Sequence, residues 1–338
     1  MTLIIAEAGV NHNGDLGLAK RLAEIAKEAG ADVVKYQTAV PKLVMSRRAP
    51  KARYQAENTG AAESQLEMSR KLHLPLAAYG ELMEYCERTV GIRFLSTPFD
   101  DPSIDLLRQL GMTTWKVPSG EVTNKPYLER IGGFGQEVIL STGMSELWEV
   151  VRAVDTLIAA GTQRDQITVL HCSSDYPAKM SDLNLRAMHT LAEATGCRIG
   201  YSDHSRGIEV SIAAVALGAV VIEKHFTLDH GLSGPDHLAS LEPDELRALV
   251  AAIRNVERAL GDGVKTARGA EIPNQRIGRR SVHALRTIEG GSLITRADLI
   301  MKRPSDGISP FDVDRIIGKR ARRRIDEDEC IEPTDVDV

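Results

Sequence analysis

The stretch RIGYSDHSRGIEVSIAAVALGAVVIEKHFTLD, residues 198–229, decides the fold. It opens on a strand-like run at Arg198–Ser202, passes through a helical pattern at Ile208–Leu217 and returns to an apolar run at Val220–Lys224. Strand, helix and strand in so short a span predict a parallel pair joined by a helical crossover. The same alternation continues outward in both directions. Further strands are expected at Leu3–Glu7, Asp32–Gln37, Arg93–Thr97, Thr114–Val117, Glu137–Thr142 and Ile167–Cys172. Helical patterns lie between them at Leu18–Glu28, Ala77–Val90, Ser103–Leu110, Glu146–Ala160 and Asn184–Ala194, and Pro243–Leu260 closes the series. Eight such units in about 260 residues fit a closed (β/α)8 TIM barrel better than an open doubly wound sheet. The segment from Val40 to Leu74 exceeds what a barrel connection needs, so a functional loop is expected there.

The barrel is expected to span residues 1–262, followed by a linker at 263–278 and a small, mainly β unit at 279–338. Gly261–Arg276 is rich in Gly and polar residues, and Pro273 is expected to stop any helix there. Beyond Arg279 come short extended runs with turn signals at Glu289-Gly290-Gly291 and Ser305-Asp306-Gly307. A unit of about 60 residues is near the lower limit for folding alone, which implies support from its own barrel or a partner's.

The bulk composition narrows the functional class. The chain has 338 residues, a net charge of −5, 43% hydrophobic and 4% aromatic residues. That balance carries no footprint for nucleic acid or an anionic membrane surface. The basic cluster Lys319–Arg324 is followed by Asp326, Glu327, Asp328 and Glu329, and is expected to be a solvated face. Cys86, Cys172, Cys197 and Cys330 are too scattered for a zinc site or a disulfide framework. No signal peptide or membrane-length apolar run is apparent, so a reducing cytoplasm is the expected location.

Barrel enzymes gather their chemistry where the strands end. Here the ends offer Glu7 with Asn11, His12 and Asn13; Lys35 and Gln37; Ser96 and Thr97; Lys116, Ser119 and Glu121; Ser141 and Thr142; His171 and Tyr176; Ser202, Asp203 and His204; and Glu223, Lys224 and His225. Lys35 and Lys116 stand within apolar strands, where a buried ammonium needs an anion. A substrate phosphate or carboxylate, a barrel carboxylate such as Glu7 or Glu121, and a Schiff-base role are the three readings, the first favoured. His204 and His225 end neighbouring strands and are candidates to hold a divalent metal with open positions.

At these residues the chain resembles the sialic acid synthase family, which makes N-acetylneuraminate, legionaminate and pseudaminate. The resemblance rests on IAEAGVNHNG at 5–14, VVKYQT at 33–38, NTGAAESQLEM at 58–68, FLSTPFD at 94–100 and WKVPSGE at 115–121. It continues through LSTGM at 140–144, HCSSDYPA at 171–178, GYSDHS at 200–205, EKHFTLD at 223–229 and SGPDHLAS at 233–240. In the tail, RRSVHA at 279–284 and KRPSDGISP at 302–310 resemble the antifreeze-like (SAF, β-clip) domain. Two stretches depart from the pattern: Ser173-Ser174-Asp175, where some members carry an Asn, and Ser305-Asp306-Gly307, usually Gly-Asn-Gly.

The resemblance implies condensation of phosphoenolpyruvate with an N-acylmannosamine-type sugar. It assigns Lys35, Lys116, Ser119, Tyr176 and Ser202 to phosphoenolpyruvate, and Gln37, Tyr54, Asn58, Asp236 and Arg303 to the sugar. His204 and His225 would hold the metal, with Mn2+ expected and Mg2+ or Co2+ as alternatives. Glu7 and Glu121 would position or deprotonate a water. A swapped homodimer is implied, in which Arg303 reaches the partner's site. Among the sugars, N-acetylmannosamine is favoured over a 2,4-diacetamido-trideoxy hexose. A Schiff-base aldolase and a non-catalytic carbohydrate-binding protein are the readings from other classes.

Overall fold

The computed structural model describes residues 1–60 and 62–337 and divides into two compact units, Met1–Gly261 and Asp262–Val338. In the first, strands and helices alternate along the chain. The order begins with β1 (Leu3–Gly9), α1 (Leu16–Glu28), β2 (Val33–Thr38), α2 (Pro41–Val44), α3 (Arg53–Thr59), α4 (Gln65–Leu72) and α5 (Ala78–Glu84). It continues with β3 (Arg93–Pro98), α6 (Asp101–Gln109), β4 (Thr114–Val117), α7 (Lys125–Gly132), β5 (Glu137–Ser141) and α8 (Leu147–Ala160). The series ends with β6 (Ile167–Cys172), α9 (Ala187–Thr195), β7 (Arg198–Asp203), α10 (Glu209–Ala216), β8 (Val221–His225) and α11 (Pro243–Leu260).

All eight strands lie in one parallel sheet, and β1 pairs with both β2 and β8, so the last strand returns to the first. This is a TIM barrel. Its apolar layer packs Ile4, Val34, Phe94, Val138, Val169 and Ile222 against helix faces such as Leu22, Leu107, Leu157 and Leu249. Local chemistry sets the helix starts. Asp15 and Asp100 cap α1 and α6 by accepting the backbone N–H groups of Leu18 and Ser103. Ser64 and Glu67 form a capping box on α4. At Gly200 in β7 a Cβ would come within 2.6 Å of the Val221 carbonyl oxygen, so only glycine fits there.

Two elements differ from the sequence reading. α7 lies in a stretch for which no helical pattern was named: Asn124 accepts from the Tyr127 N–H and Pro126 occupies the first turn, so eight residues suffice. The helical run expected to Val90 changes to a π-helical turn over Tyr85–Val90. The segment from Val40 to Leu74 is not a bare loop but carries α2, α3 and α4.

The second unit begins with α12 (Glu271–Gly278), followed by β9 (Ser281–Ala284) paired antiparallel with β10 (Leu299–Lys302). α12 corrects the expectation that Pro273 ends any helix: the proline sits in the first turn, where its missing N–H has no helical partner to lose. A separate small core is built from Val282, Ile294, Ile325 and Ile331. The basic cluster is a solvated face, with Arg322 paired to Asp337, Arg323 to Glu329 and Asp335, and Arg324 to Asp326. All four cysteines are free. Among the described residues, no helix is long and apolar enough to cross a membrane.

Candidate active site

Residue register places the charged side chains. Glu7 on β1 is opposite Lys35 on β2 and His225 on β8, and Ser202 on β7 is opposite Glu223 on β8. Alternation along each strand sends these side chains to the barrel interior. They line a cavity of about 510 Å3, together with Gln37, Tyr54, Lys116, Ser119, Glu121, Tyr176, His204 and Asp236.

The lysines pair with barrel carboxylates. Lys35 Nζ lies 2.6 Å from Glu7 Oε1 and 3.6 Å from Glu223 Oε2. Lys116 Nζ is 3.5 Å from Glu223 Oε1 and donates to Ser141 Oγ at 2.7 Å. Internal pairing, the second of the sequence readings, therefore holds for Lys35. Glu7 is its partner as anticipated, but Glu223 takes the place expected of Glu121. Lys116 has one carboxylate at a longer distance and retains capacity for a further anion.

Burial would raise the Glu7 carboxyl, but His225, Lys35 and Lys116 together hold it well below the usual carboxylate range. Burial would depress Lys35, yet Glu223 and Glu7 raise it. For Lys116 burial prevails over the pull of Glu223, and the charge on Lys35 adds to the lowering. Burial, with Glu7 nearby, raises the Asp236 carboxyl.

His204 and His225 stand with ring centroids 5.6 Å apart. His204 Nδ1 is 2.6 Å from the Ser173 carbonyl oxygen, which assigns the proton to that nitrogen and leaves Nε2 unprotonated, with Ser202 Oγ 3.5 Å away. Burial and the neighbouring His225 lower the His204 imidazole to about 3, so it is neutral. His225 Nδ1 is buried without a hydrogen-bond partner, while its Nε2 is 3.5 Å from Glu7 Oε2. The unprotonated Nε2 of His204 and the orphaned Nδ1 of His225 fit a divalent cation whose other positions are filled by substrate or water. Among the described residues no third His, Cys, Asp or Glu completes a protein-only cluster. The Tyr176 ring packs 4.1 Å from His204 and 5.0 Å from Tyr54, walling the pair on the α3 side.

Other predicted positions fall outside the cavity lining. Asn58 donates from its amide to the Pro235 carbonyl oxygen at 2.7 Å, beside Asp236. Arg303 is exposed on the second unit, directly after β10. Several strand-end polar groups are structural: Asn11 donates to the Phe226 carbonyl, and His171 Nε2 meets the Leu183 carbonyl oxygen at 2.7 Å. His12 is fully buried.

The sequence reading placed Glu223 and Ser141 among the strand-end polar groups without naming either as a lysine partner, and did not single out Met68, Phe99 or Met144 for the cavity. The available signal for Glu223 was its spacing two residues before His225, which puts both on one strand face.

Residues 22–265 match the NeuB family and residues 279–337 match the SAF domain. The chain belongs to the NeuB family. Its relatives within it include an N,N'-diacetyllegionaminic acid synthase of Campylobacter jejuni, 51% identical over 330 residues, with 98% of each chain covered. A protein of the same description from Legionella pneumophila is 46% identical over 319 residues, covering 94% of this chain and 89% of the relative. A solved structure, an N-acetylneuraminic acid synthetase of Leptospira borgpetersenii in complex with citrate, is 34% identical. It superposes with a TM-score of 0.69 over 81% of this chain and 90% of that one. As a NeuB-family member this chain is a sugar-acid synthase.

Proposed function

We propose that this NeuB-family chain condenses phosphoenolpyruvate with a 2,4-diacetamido-trideoxy hexose to give a legionaminic-type acid and phosphate. The observation that carries the reading is the cavity itself. An incompletely compensated Lys116 at its base supports an anion, and paired histidines above support an electrophile. Val44, Met45, Met68 and Phe99 line part of the wall, an apolar surface suited to a C6 methyl and acetamido methyls. The higher identity to relatives described as diacetyllegionaminic acid synthases favours this sugar. N-acetylmannosamine, preferred in the sequence reading, stands second.

In the proposed reaction C3 of phosphoenolpyruvate attacks the aldehyde carbon of the open-chain sugar, leaving positive charge at C2. Water adds at C2, and phosphate leaves with the C2–O bond electrons. Lys116 and Ser119 would hold the anionic end, and Ser202, donating to Glu223 Oε1 at 2.8 Å, would keep that carboxylate oriented. Glu7, held ionised by its neighbours, is a weak proton acceptor. Its role is electrostatic, facing the developing charge at C2. Glu121, at the lip, remains the carboxylate to accept a proton from water. Gln37, which donates to Glu7 Oε1 at 3.1 Å, lies with Tyr54 and Asp236 on the sugar side. A divalent cation on His204 and His225, Mn2+ foremost, would polarise the aldehyde oxygen. The second unit of a partner copy, through Arg303, belongs to the same proposal.

Phosphate release with Mn2+, comparing the 2,4-diacetamido-trideoxy hexose with N-acetylmannosamine, tests it. We expect faster release with the diacetamido sugar and loss on adding EDTA. Faster release with N-acetylmannosamine would make the chain a neuraminate synthase, and EDTA-insensitive release would overturn the role of the histidines.

A further inference from the structure

Behind the two histidines, away from the cavity, Asp203 and Lys224 form an ion pair. Lys224 Nζ lies 2.9 Å from Asp203 Oδ2, and the side chains are 1% and 0% exposed. The two residues are in-register partners of β7 and β8. One residue earlier on each strand, Ser202 and Glu223 point into the cavity. Asp203 and Lys224 point to the helix layer, where Ser211 of α10 donates to Asp203 Oδ2 at 2.6 Å. One residue later, His204 and His225 face the cavity again.

The pair is fully satisfied. Asp203 Oδ1 accepts from the Ser205 backbone N–H at 2.9 Å and from its hydroxyl at 2.6 Å. Lys224 Nζ also donates to the Ser205 carbonyl oxygen at 2.7 Å. The residue between, His204, is therefore held on both sides by one network. The α10 side beside the pair is buried at Val210, Ser211 and Ala214, while Glu209 and Glu245 add a weaker pull on Lys224. A buried ion pair in such a layer gives little net stability compared with an apolar pair, but it specifies one register.

We infer that the Asp203–Lys224 pair is a positioning device that fixes the separation of His204 and His225 by locking the ends of β7 and β8 together. The inference rests on the reading of the two histidines as a cation site. Outer contacts that orient metal ligands typically change affinity 10–100-fold when removed.

The test is Mn2+ binding by electron paramagnetic resonance titration of the full-length protein, with phosphoenolpyruvate binding by calorimetry without metal and a melting temperature alongside. The variant Asp203→Leu/Lys224→Met removes both charges together. We expect Mn2+ affinity to fall roughly 10–100-fold while phosphoenolpyruvate affinity changes less than about twofold. Ser211→Ala, which removes one bond to Asp203 and leaves the charges, should give a smaller loss in the same direction. A control variant, Asp32→Leu/Arg254→Met, removes a pair 2.7 Å apart at the other end of the barrel and should leave Mn2+ affinity unchanged. Wild-type Mn2+ affinity in both network variants would overturn the inference alone. A loss equal to that of the control would do the same. Absence of Mn2+ binding by the wild type would overturn the histidine reading and the inference with it.

Discussion

The ammonium of Lys35 lies 2.6 Å from the Glu7 carboxylate, and both side chains are buried. Their attraction offsets the cost of burying each charge, so neither can be removed alone without leaving the other uncompensated. Lys35→Met should destabilise the protein by about 3–5 kcal/mol. A thermal melt checks this, and a loss below about 1 kcal/mol would show that water or rearrangement screens the remaining carboxylates.

Glu223 meets both lysines, at 3.6 Å for Lys35 and 3.5 Å for Lys116. Glu223→Gln keeps a hydrogen-bond acceptor for Ser202 but leaves excess positive charge beside the anion. Steady-state kinetics should show kcat lowered by about 10²-fold, with KM for phosphoenolpyruvate unchanged or lower. A raised KM with normal kcat would contradict this account.

The amide of Asn58 ties α3 to the Pro235 carbonyl, next to Asp236. Asn58→Ala removes one neutral hydrogen bond, worth about 1 kcal/mol. KM for the sugar should rise about fivefold, and KM for phosphoenolpyruvate should stay within about twofold. An equal rise for both substrates would mean that α3 closes over the whole cavity rather than serving the sugar side.

His12 is buried, and its Nδ1 accepts the Gly14 backbone N–H at 3.1 Å. Burial, with His73 nearby, lowers its imidazole to about 4. Below the ordinary histidine value of about 6.5 the unfolded chain binds a proton that the folded one refuses, so stability declines as pH falls from there towards 4. At pH 5 this amounts to about 2 kcal/mol. Denaturant melts of wild type and His12→Gln at pH 7 and pH 5 check it: the variant should lose less stability on acidification. Equal losses would remove His12 from the pH dependence.

The eight-fold alternation was legible because strand and helix periods are local properties, written in the spacing of apolar residues. The polar ends of the strands were legible for the same reason, since parallel strands in a barrel share one end. Hence Lys35, Lys116, His204, His225 and Glu7 could be expected around one mouth before any coordinate was known. α7 was missed because its start depends on a single cap, Asn124, with a proline close behind.

The sequence by itself determined the barrel, the small second unit and the side chains that meet at the mouth. Only the tertiary structure decided which charges face each other. Glu223, not Glu121, became the carboxylate of Lys116, and Glu7 came to face both Lys35 and His225. Those choices depend on the register between strands far apart in the chain: β1 aligns with both β2 and β8, and β7 with β8. A shift of one residue would send every one of these side chains to the opposite face, and packing of the whole barrel is what excludes that shift.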